Sequence, residues 1–347
     1  TKAEVCTNHG AYFCFACSEL QFFNIVLVRW EPYSNSCFSE YLGCQIFEIA
    51  GIPVQKTLLG TFTVNGTEKI VVACGDFTRP GLVLQDFASL KNQIIDSERN
   101  GYGTELSDIL HTITAQTAID AAQLLDRFWD MFIVDALIGN WDRHNGNWGF
   151  LYDAVSDAIE LAPVYDCGSC LYPQADDEIM RSVLTNQGDR DYRIYEIPTS
   201  AITLEGKKIR YFDFISSLRD EGCNRALRRI VPRIDMGKIE KLIHDTPFLS
   251  DLQQQFFLHS FHIPIFHKIR DFLQRHVQCP QITNGIEHFE LSGAVIAIPT
   301  FRVNIFRRQK SNGFVVAQTA DAEMKHLSYG SNGKQPCSIH DATLLLI

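Results

Sequence analysis

The chain has 347 residues, 46% hydrophobic and 21% charged, the balance of a globular protein large enough for two or three compact units. A formal net charge of −10 denies it the broad attraction to phosphate backbones that nucleic-acid binding relies on, so no nucleic-acid partner is expected. No apolar run is long enough to span a bilayer, no leader pattern is evident, and eleven scattered cysteines fit reduced thiols, so the expectation is a cytoplasmic protein with no membrane partner, or one exported without a signal peptide.

Phe22 to Trp30 is apolar and β-branched and predicts a strand. Cys37 to Ala50 predicts a helix with Phe38, Leu42, Ile46 and Ile49 on one face. Ser36 is the expected N-cap, and Gly51 and Pro53 are the stop. Glu40 is expected in its first turn, where the helix dipole favours an acid. Leu58 to Val64 and Glu68 to Cys74 flank Asn65-Gly66, which accepts the positive φ of a tight hairpin. Residues 1–78 therefore read as a sheet with one helix. Cys74 to Pro80 breaks the pattern and reads as a hinge.

Residues 79–280 read as mostly helical. Ala121 to Gly139 carries Ala121, Leu124, Leu125, Phe128, Phe132 and Ala136 at helical spacing, and Gly139 supplies the stop. Asn140 to Asn147 is too rich in Asn, Asp and Gly to continue the helix and predicts a loop. Trp148 to Tyr152 and Ile159 to Tyr165 predict two strands around a polar turn. In residues 281–347 only Ala294 to Phe306 suggests strands. His259, His262 and His267 suggest a metal cluster only weakly and read as surface or capping histidines. Cys14-x-x-Cys17 and Cys167-x-x-Cys170 have zinc-like spacing, but no Cys/His set completes the first, and the second lies in a segment better suited to magnesium.

The loop sets Asp142 five positions before Asn147, and the hairpin returns the chain to Asp166, just before Cys167-Gly168. Phosphoryl transfer to a hydroxyl needs such a set. One carboxylate orients the hydroxyl and accepts its proton, while an amide and a second carboxylate hold magnesium. On this reading Asp142 is the base, and Asn147 and Asp166 are catalytic as the metal ligands. A plain Asn/Asp/Gly turn is the competing reading for the loop alone. A dimetal phosphoesterase would need Asp-x-His and His-x-His ligands that the chain lacks.

The stretch Asn140-Trp-Asp-Arg-His-Asn-Gly-Asn147 resembles the catalytic loop of the HipA-like serine/threonine kinases. Longer segments are similar to the small CtkA-type branch, among them Thr57-Leu-Leu-Gly-Thr61, Phe128-Trp-Asp-Met-Phe132, Asp166 to Asp177 and Pro232-Arg-Ile-Asp-Met236. The resemblance runs from about residue 28 to about residue 255. It implies an α+β, two-lobed protein-kinase-like fold with a β-rich small lobe, ATP and Mg2+ as cofactors, and a protein substrate phosphorylated on Ser or Thr, the kinase itself included. It also implies nucleotide contacts from Arg29 and Glu40, from Asp76 and Phe77 in the hinge, and from His144 in the loop.

Two departures stand out. Arg29 occupies the place of the family's phosphate-binding lysine, and a planar guanidinium is not equivalent to an ammonium there. The glycine-rich stretch that covers the phosphates is missing, since residues 1–27 contain only Gly10. The alternative expectation is therefore a kinase-shaped binding protein impaired in turnover.

Overall fold

The computed structural model describes residues 13–14, 25–29, 35–64, 67–95 and 100–260. The expectations for the rest of the first 27 residues, for His262 and His267, for Ala294 to Phe306 and for the 281–347 tail lie outside the described residues. Contacts gather Thr1–Phe214 with Asp220–Phe266 as one unit. A second unit joins Ile215–Arg219 to residues from His267 onward, of which only Ile215–Arg219 is described.

The first elements are β1 (Phe13–Cys14), β2 (Ile25–Arg29), α1 (Ser36–Ile49), β3 (Thr57–Val64) and β4 (Thr67–Gly75). The strands form an antiparallel sheet in the order β1-β3-β4-β2. Val64 pairs with Thr67, leaving two connecting residues, as the Asn65-Gly66 signal predicts; those two lie outside the described residues.

Helix α1 starts at Ser36, so Asn35 and not Ser36 holds the capping position, and it makes no side-chain cap. Its amide is spent on tertiary contacts: Nδ2 donates to Ala175 O at 2.9 Å, and Oδ1 accepts from Gln253 Nε2 at 2.9 Å. Glu40 consequently lies beyond the first turn, which contains no acid. It is buried, as are Ser39 and Cys44, because α1 packs on β3 and β4 and also against later helices.

Next come β5 (Leu82–Asp86), α2 (Phe87–Ile94), α3 (Leu106–Ala115), α4 (Ala121–Ile138), β6 (Gly149–Asp153) and β7 (Ala158–Leu161). Strands β5-β6-β7 form a second antiparallel sheet. β5 was not expected from sequence: it is short, with Val83 exposed, and it is defined by pairing with β6. β6 and β5 approach so closely at Gly149 that an added Cβ would stand 2.1 Å from Gln85 O. β7 ends earlier than the expected Tyr165, since Pro163 has no N–H to extend a ladder. Beyond it, Val164 forms a parallel bridge with Val54.

Helix α4 is the structural centre. Asp120 caps it by accepting from Gln123 N at 2.8 Å, and Gly139 ends it in the left-handed region at φ 64°. From Met131 to Ile138 every side chain is buried. Trp129 and Phe132 pack edge to face with ring centroids 5.4 Å apart, and Phe128 lies against Trp148.

The remaining elements are α5 (Asp177–Thr185), α6 (Gln187–Asp191), β8 (Thr199–Leu204), β9 (Lys207–Arg210), α7 (Tyr211–Ser217), α8 (Glu221–Ile230), α9 (Met236–Asp245) and α10 (Asp251–Ser260). Helix α8 packs on α4, where Arg229 forms a forked ion pair with Asp130, Nη2 to Oδ1 at 2.6 Å. The β8–β9 hairpin interrupts a region expected to be mostly helical. Glu205 and Gly206 both take positive φ at its turn, of which only Gly206 is suited to that region by type. Among the described residues no helix is long and apolar enough to cross a membrane.

Candidate active site

The left-handed turn at Gly139 stops α4 and throws Asn140 to Asn147 into a loop. Asn140 N donates back to Asp135 O at 2.9 Å, and its side-chain nitrogen donates to Asp135 Oδ1 at 2.9 Å. The other end of that amide, Asn140 Oδ1, accepts from Asp142 N at 3.1 Å. Tyr211 donates to Asn140 O at 2.7 Å. The flanks are fixed too, because Asn145 Nδ2 donates to the carbonyls of Gly101 and Gly103, each at 2.8 Å. A loop of polar residues thus becomes rigid.

Arg143 binds this loop to the segment that carries Asp166. It is 3% exposed, and Asp135 is 1% exposed, so both charges are removed from water. Arg143 Nε donates to Asp135 Oδ2 at 3.0 Å and Nη2 to Oδ1 at 3.2 Å, a fork on a carboxylate. Nη1 donates to Asn147 O at 2.8 Å and also to Tyr165 O. Nη2 further donates to Cys167 Sγ at 3.3 Å. Burial works against the guanidinium charge, but Asp135 and the Cys167 sulfur together outweigh it, and the group stays protonated well beyond its ordinary range. Burial raises the Asp135 carboxyl, while Arg143 and Asn140 pull it down.

Asn147 and Asp166 lie nineteen positions apart in sequence. Their backbones meet because a single guanidinium nitrogen bonds the carbonyl of Asn147 and the carbonyl just before Asp166. Asn147 Nδ2 donates to Asp142 O at 2.9 Å, which leaves the amide oxygen as the end for a cation. Asp166 takes φ 58°, a region that non-glycine residues seldom occupy. Tyr165, on its N-terminal side, donates to Gly146 O at 3.1 Å, a second tie between loop and segment. Asp142 is half-buried, and its carboxylate makes no hydrogen bond or ion pair with the described residues.

The other expected site residues are placed as follows. His144 Nδ1 accepts from Gly146 N at 3.0 Å, which leaves Nε2 for a ligand. Its ring meets Tyr102 edge-on with centroids 6.2 Å apart. Asp76 closes an Asx turn, accepting from Thr78 N at 2.7 Å and Thr78 Oγ1 at 2.6 Å. Phe77 lies against Tyr165 at 5.8 Å, so the hinge packs beside the Asp166 segment. Glu40 is buried on α1, where Cys44 Sγ donates to its Oε1 at 3.6 Å. Arg29 pairs through its backbone with Val72 on β4; its side chain, and so an Arg29–Glu40 ion pair, lies outside the described residues.

Sequence reasoning missed Asp135, Arg143 and Tyr165, which hold the site together without belonging to the chemical set. Asp135 had a readable signal, an acid on the otherwise apolar last turn of α4. Nothing local marked Tyr165. Tyr102 was missed as well; it reaches the loop from the α2–α3 connection and donates to Asp86 Oδ2 at 3.3 Å.

A model of the HipA-like C-terminal domain matches residues 22–235, which span the loop, Asp166 and most of the fold. The chain belongs to the HipA-like family. Among HipA-like proteins, the serine/threonine-protein kinase CtkA of Helicobacter pylori is 49% identical over 229 residues, covering 66% of this chain and 69% of CtkA. The crystal structure of a Helicobacter pylori proinflammatory kinase CtkA matches with a TM-score of 0.68 at 42% identity, over 78% of this chain and 93% of that one. The α+β, kinase-like fold expected from the sequence is therefore the fold of this HipA-like chain.

Proposed function

We propose that this HipA-like chain is a protein kinase that transfers the γ-phosphoryl group of ATP to a Ser or Thr hydroxyl of a protein, another copy of itself included. The observation that carries the reading is the Arg143 bridge, which joins the carbonyls of Asn147 and Tyr165 on one nitrogen. It supports Asn147 and Asp166 as a pair of oxygen donors for one ion. Hard oxygen donors of this kind suit magnesium, and the amide oxygen of Asn147 is oriented for that use by the Asp142 carbonyl. Magnesium, when bound, neutralises charge on the phosphate oxygens.

Asp142 orients the substrate hydroxyl and accepts its proton as the oxygen bonds to the γ-phosphorus and ADP leaves. Its unpaired carboxylate is available for that bond, since no side chain among the described residues occupies it. The nucleotide sits between residues 1–78 and residues 79–280, with Asp76 and Phe77 at the adenine end and His144 Nε2 near the phosphates. Glu40 orients Arg29 toward the phosphates in the role of the family's lysine–glutamate pair. One reading competes. Arg29 and the single glycine before residue 28 favour a kinase-fold protein that binds nucleotide but turns it over poorly.

ATP titration with and without magnesium, followed by phosphotransfer from labelled ATP, separates the two. A kinase shows magnesium-dependent binding and transfer; the impaired form binds without transfer. Asp142→Asn should lower transfer by about 10²- to 10⁴-fold, the usual worth of a general base, with nucleotide affinity almost unchanged. Loss of nucleotide binding as severe as the loss of transfer would remove Asp142 from the role of base.

A further inference from the structure

Beside the proposed phosphoryl-transfer residues lies a buried cluster whose two thiols the reaction does not use. Glu40, Cys44 and Cys167 each offer a ligand atom, and all three atoms lie within 4.8 Å of one another. Cys44 and Cys167 are both 0% exposed and both are free thiols. The Cys44 Sγ to Glu40 Oε1 separation is 3.6 Å. A tetrahedral ion with sulfur at about 2.3 Å and oxygen at about 2.0 Å spaces its ligands by roughly 3.5 Å, so this edge already fits.

The approach is permitted by Gly43. A Cβ there would stand 2.8 Å from Cys167 Cβ and 3.0 Å from Cys170 Sγ, so only glycine lets the Asp166-Cys167-Gly168 segment seat against α1. Cys170 completes the sulfur-rich surroundings, its Sγ donating to Ser39 O at 3.2 Å. The Cys167-x-x-Cys170 pair, which the sequence assigned to a segment better suited to magnesium, thus has Glu40 and Cys44 of α1 beside Cys167.

We infer that Glu40, Cys44 and Cys167 form a site for a thiophilic dication of the zinc class, distinct from the magnesium position. Two thiolates and a carboxylate select a softer ion than magnesium. Binding exchanges one dication for the two thiol protons, so the net charge of the buried cluster is unchanged. Arg143, donating to Cys167 Sγ at 3.3 Å, serves as the outer-shell donor to a bound thiolate. Water or Cys170, which lines the same pocket around Gly43, would complete a fourth position. Occupation ties α1 to the Asp166 segment and takes the Glu40 carboxylate away from Arg29. Resting on the kinase reading, the consequence is inhibition: the zinc-loaded protein binds ATP more weakly.

The test uses the full reduced chain, stripped of metal and titrated with cobalt(II) as the spectroscopic probe. A thiolate-to-cobalt charge-transfer band with tetrahedral visible bands is expected at one equivalent, in the unmodified protein and in Cys223→Ala. Cys44→Ala and Cys167→Ala should each lose the bands and weaken zinc binding by more than about 100-fold, beyond the usual effect of an outer-shell change. Gly43→Ala, which removes no ligand, should weaken it too. Circular dichroism shows whether the variants fold. If they do not, zinc protection of Cys44 and Cys167 from alkylation, mapped by peptide mass spectrometry on the unmodified chain, decides the matter.

Absence of the bands overturns the site. Bands that survive in both cysteine variants overturn it as well, because other thiols then hold the ion. The cobalt spectrum needs no ATP, so it stands or falls independently of the kinase reading. Unchanged ATP affinity in a zinc-loaded protein that does bind ATP would overturn the inhibitory role alone.

Discussion

Arg143→Met is the sharpest perturbation of the site that spares the proposed chemical groups. The substitution keeps much of the side-chain volume but removes all the donors. Asp135, 1% exposed, would then be a buried carboxylate held only by the Asn140 amide. Removing one partner of a buried pair costs about 3–5 kcal/mol. The buried Asn147 carbonyl also loses its donor, adding about 1–3 kcal/mol, and the half-buried Tyr165 carbonyl adds less. The expected loss is roughly 5 kcal/mol, comparable to the lower end of the roughly 5–15 kcal/mol stability of whole domains. Urea unfolding followed by fluorescence of the buried Trp129 and Trp148 measures it.

Adding Asp135→Asn removes the stranded charge. The double variant should recover about 3 kcal/mol relative to Arg143→Met while remaining inactive, because the bridge between Asn147 and Tyr165 is still missing. A loss under about 1 kcal/mol for Arg143→Met, or strictly additive single effects, would refute the claim that the pair acts as one unit. Full activity in the folded double variant would refute the claim that the bridge positions the site.

Gly149→Ala should cost about 3 kcal/mol or more, because the new Cβ would meet Gln85 O at 2.1 Å and Asp86 Cα at 2.7 Å, and backbone atoms cannot swing aside; thermal unfolding reads this, and an unchanged Tm would contradict it. Glu105 is slightly desolvated, which raises its carboxyl, but Gly206 N, Thr203 Oγ1 and Glu205 N donate to it and hold it below its ordinary value. Its folded form therefore favours the carboxylate, so its stabilising effect is present above the unfolded pKa of about 4.3 and fades as pH falls through the lower folded value. Glu105→Gln should flatten that part of the stability–pH curve, and an unaltered curve would show that the three donors do not act on the charge. Arg29→Lys should raise phosphotransfer by about tenfold, roughly one charged hydrogen bond to phosphate regained; a lower rate than the unmodified protein would mean that the guanidinium suits this site better than an ammonium.

Much of the candidate site's layout was legible in sequence because it is local. Asp142 and Asn147 share one short loop, Gly139 marks where α4 must stop, and the apolar spacing from Leu124 to Ala136 identifies the helix that carries the loop. The pairing of Val64 with Thr67 likewise follows from a dipeptide that accepts positive φ. Where the signal was only a pattern of side-chain types, boundaries moved: Ser36 looked like a cap, but Asn35 took that position and spent its amide on Ala175 and Gln253. β5 escaped notice because so short a strand exists only through its ladder to β6. Sequence alone also could not say that Arg143 is buried, that it spans from Asp135 to Tyr165, or that Gly43 admits Cys167 to the side of Cys44. Those facts depend on desolvation and on close approach between segments, from 8 residues apart for Arg143 and Asp135 to well over a hundred for Gly43 and Cys167. A residue's type states what it can bond; packing decides whether water competes for that bond, and only the tertiary structure sets the packing.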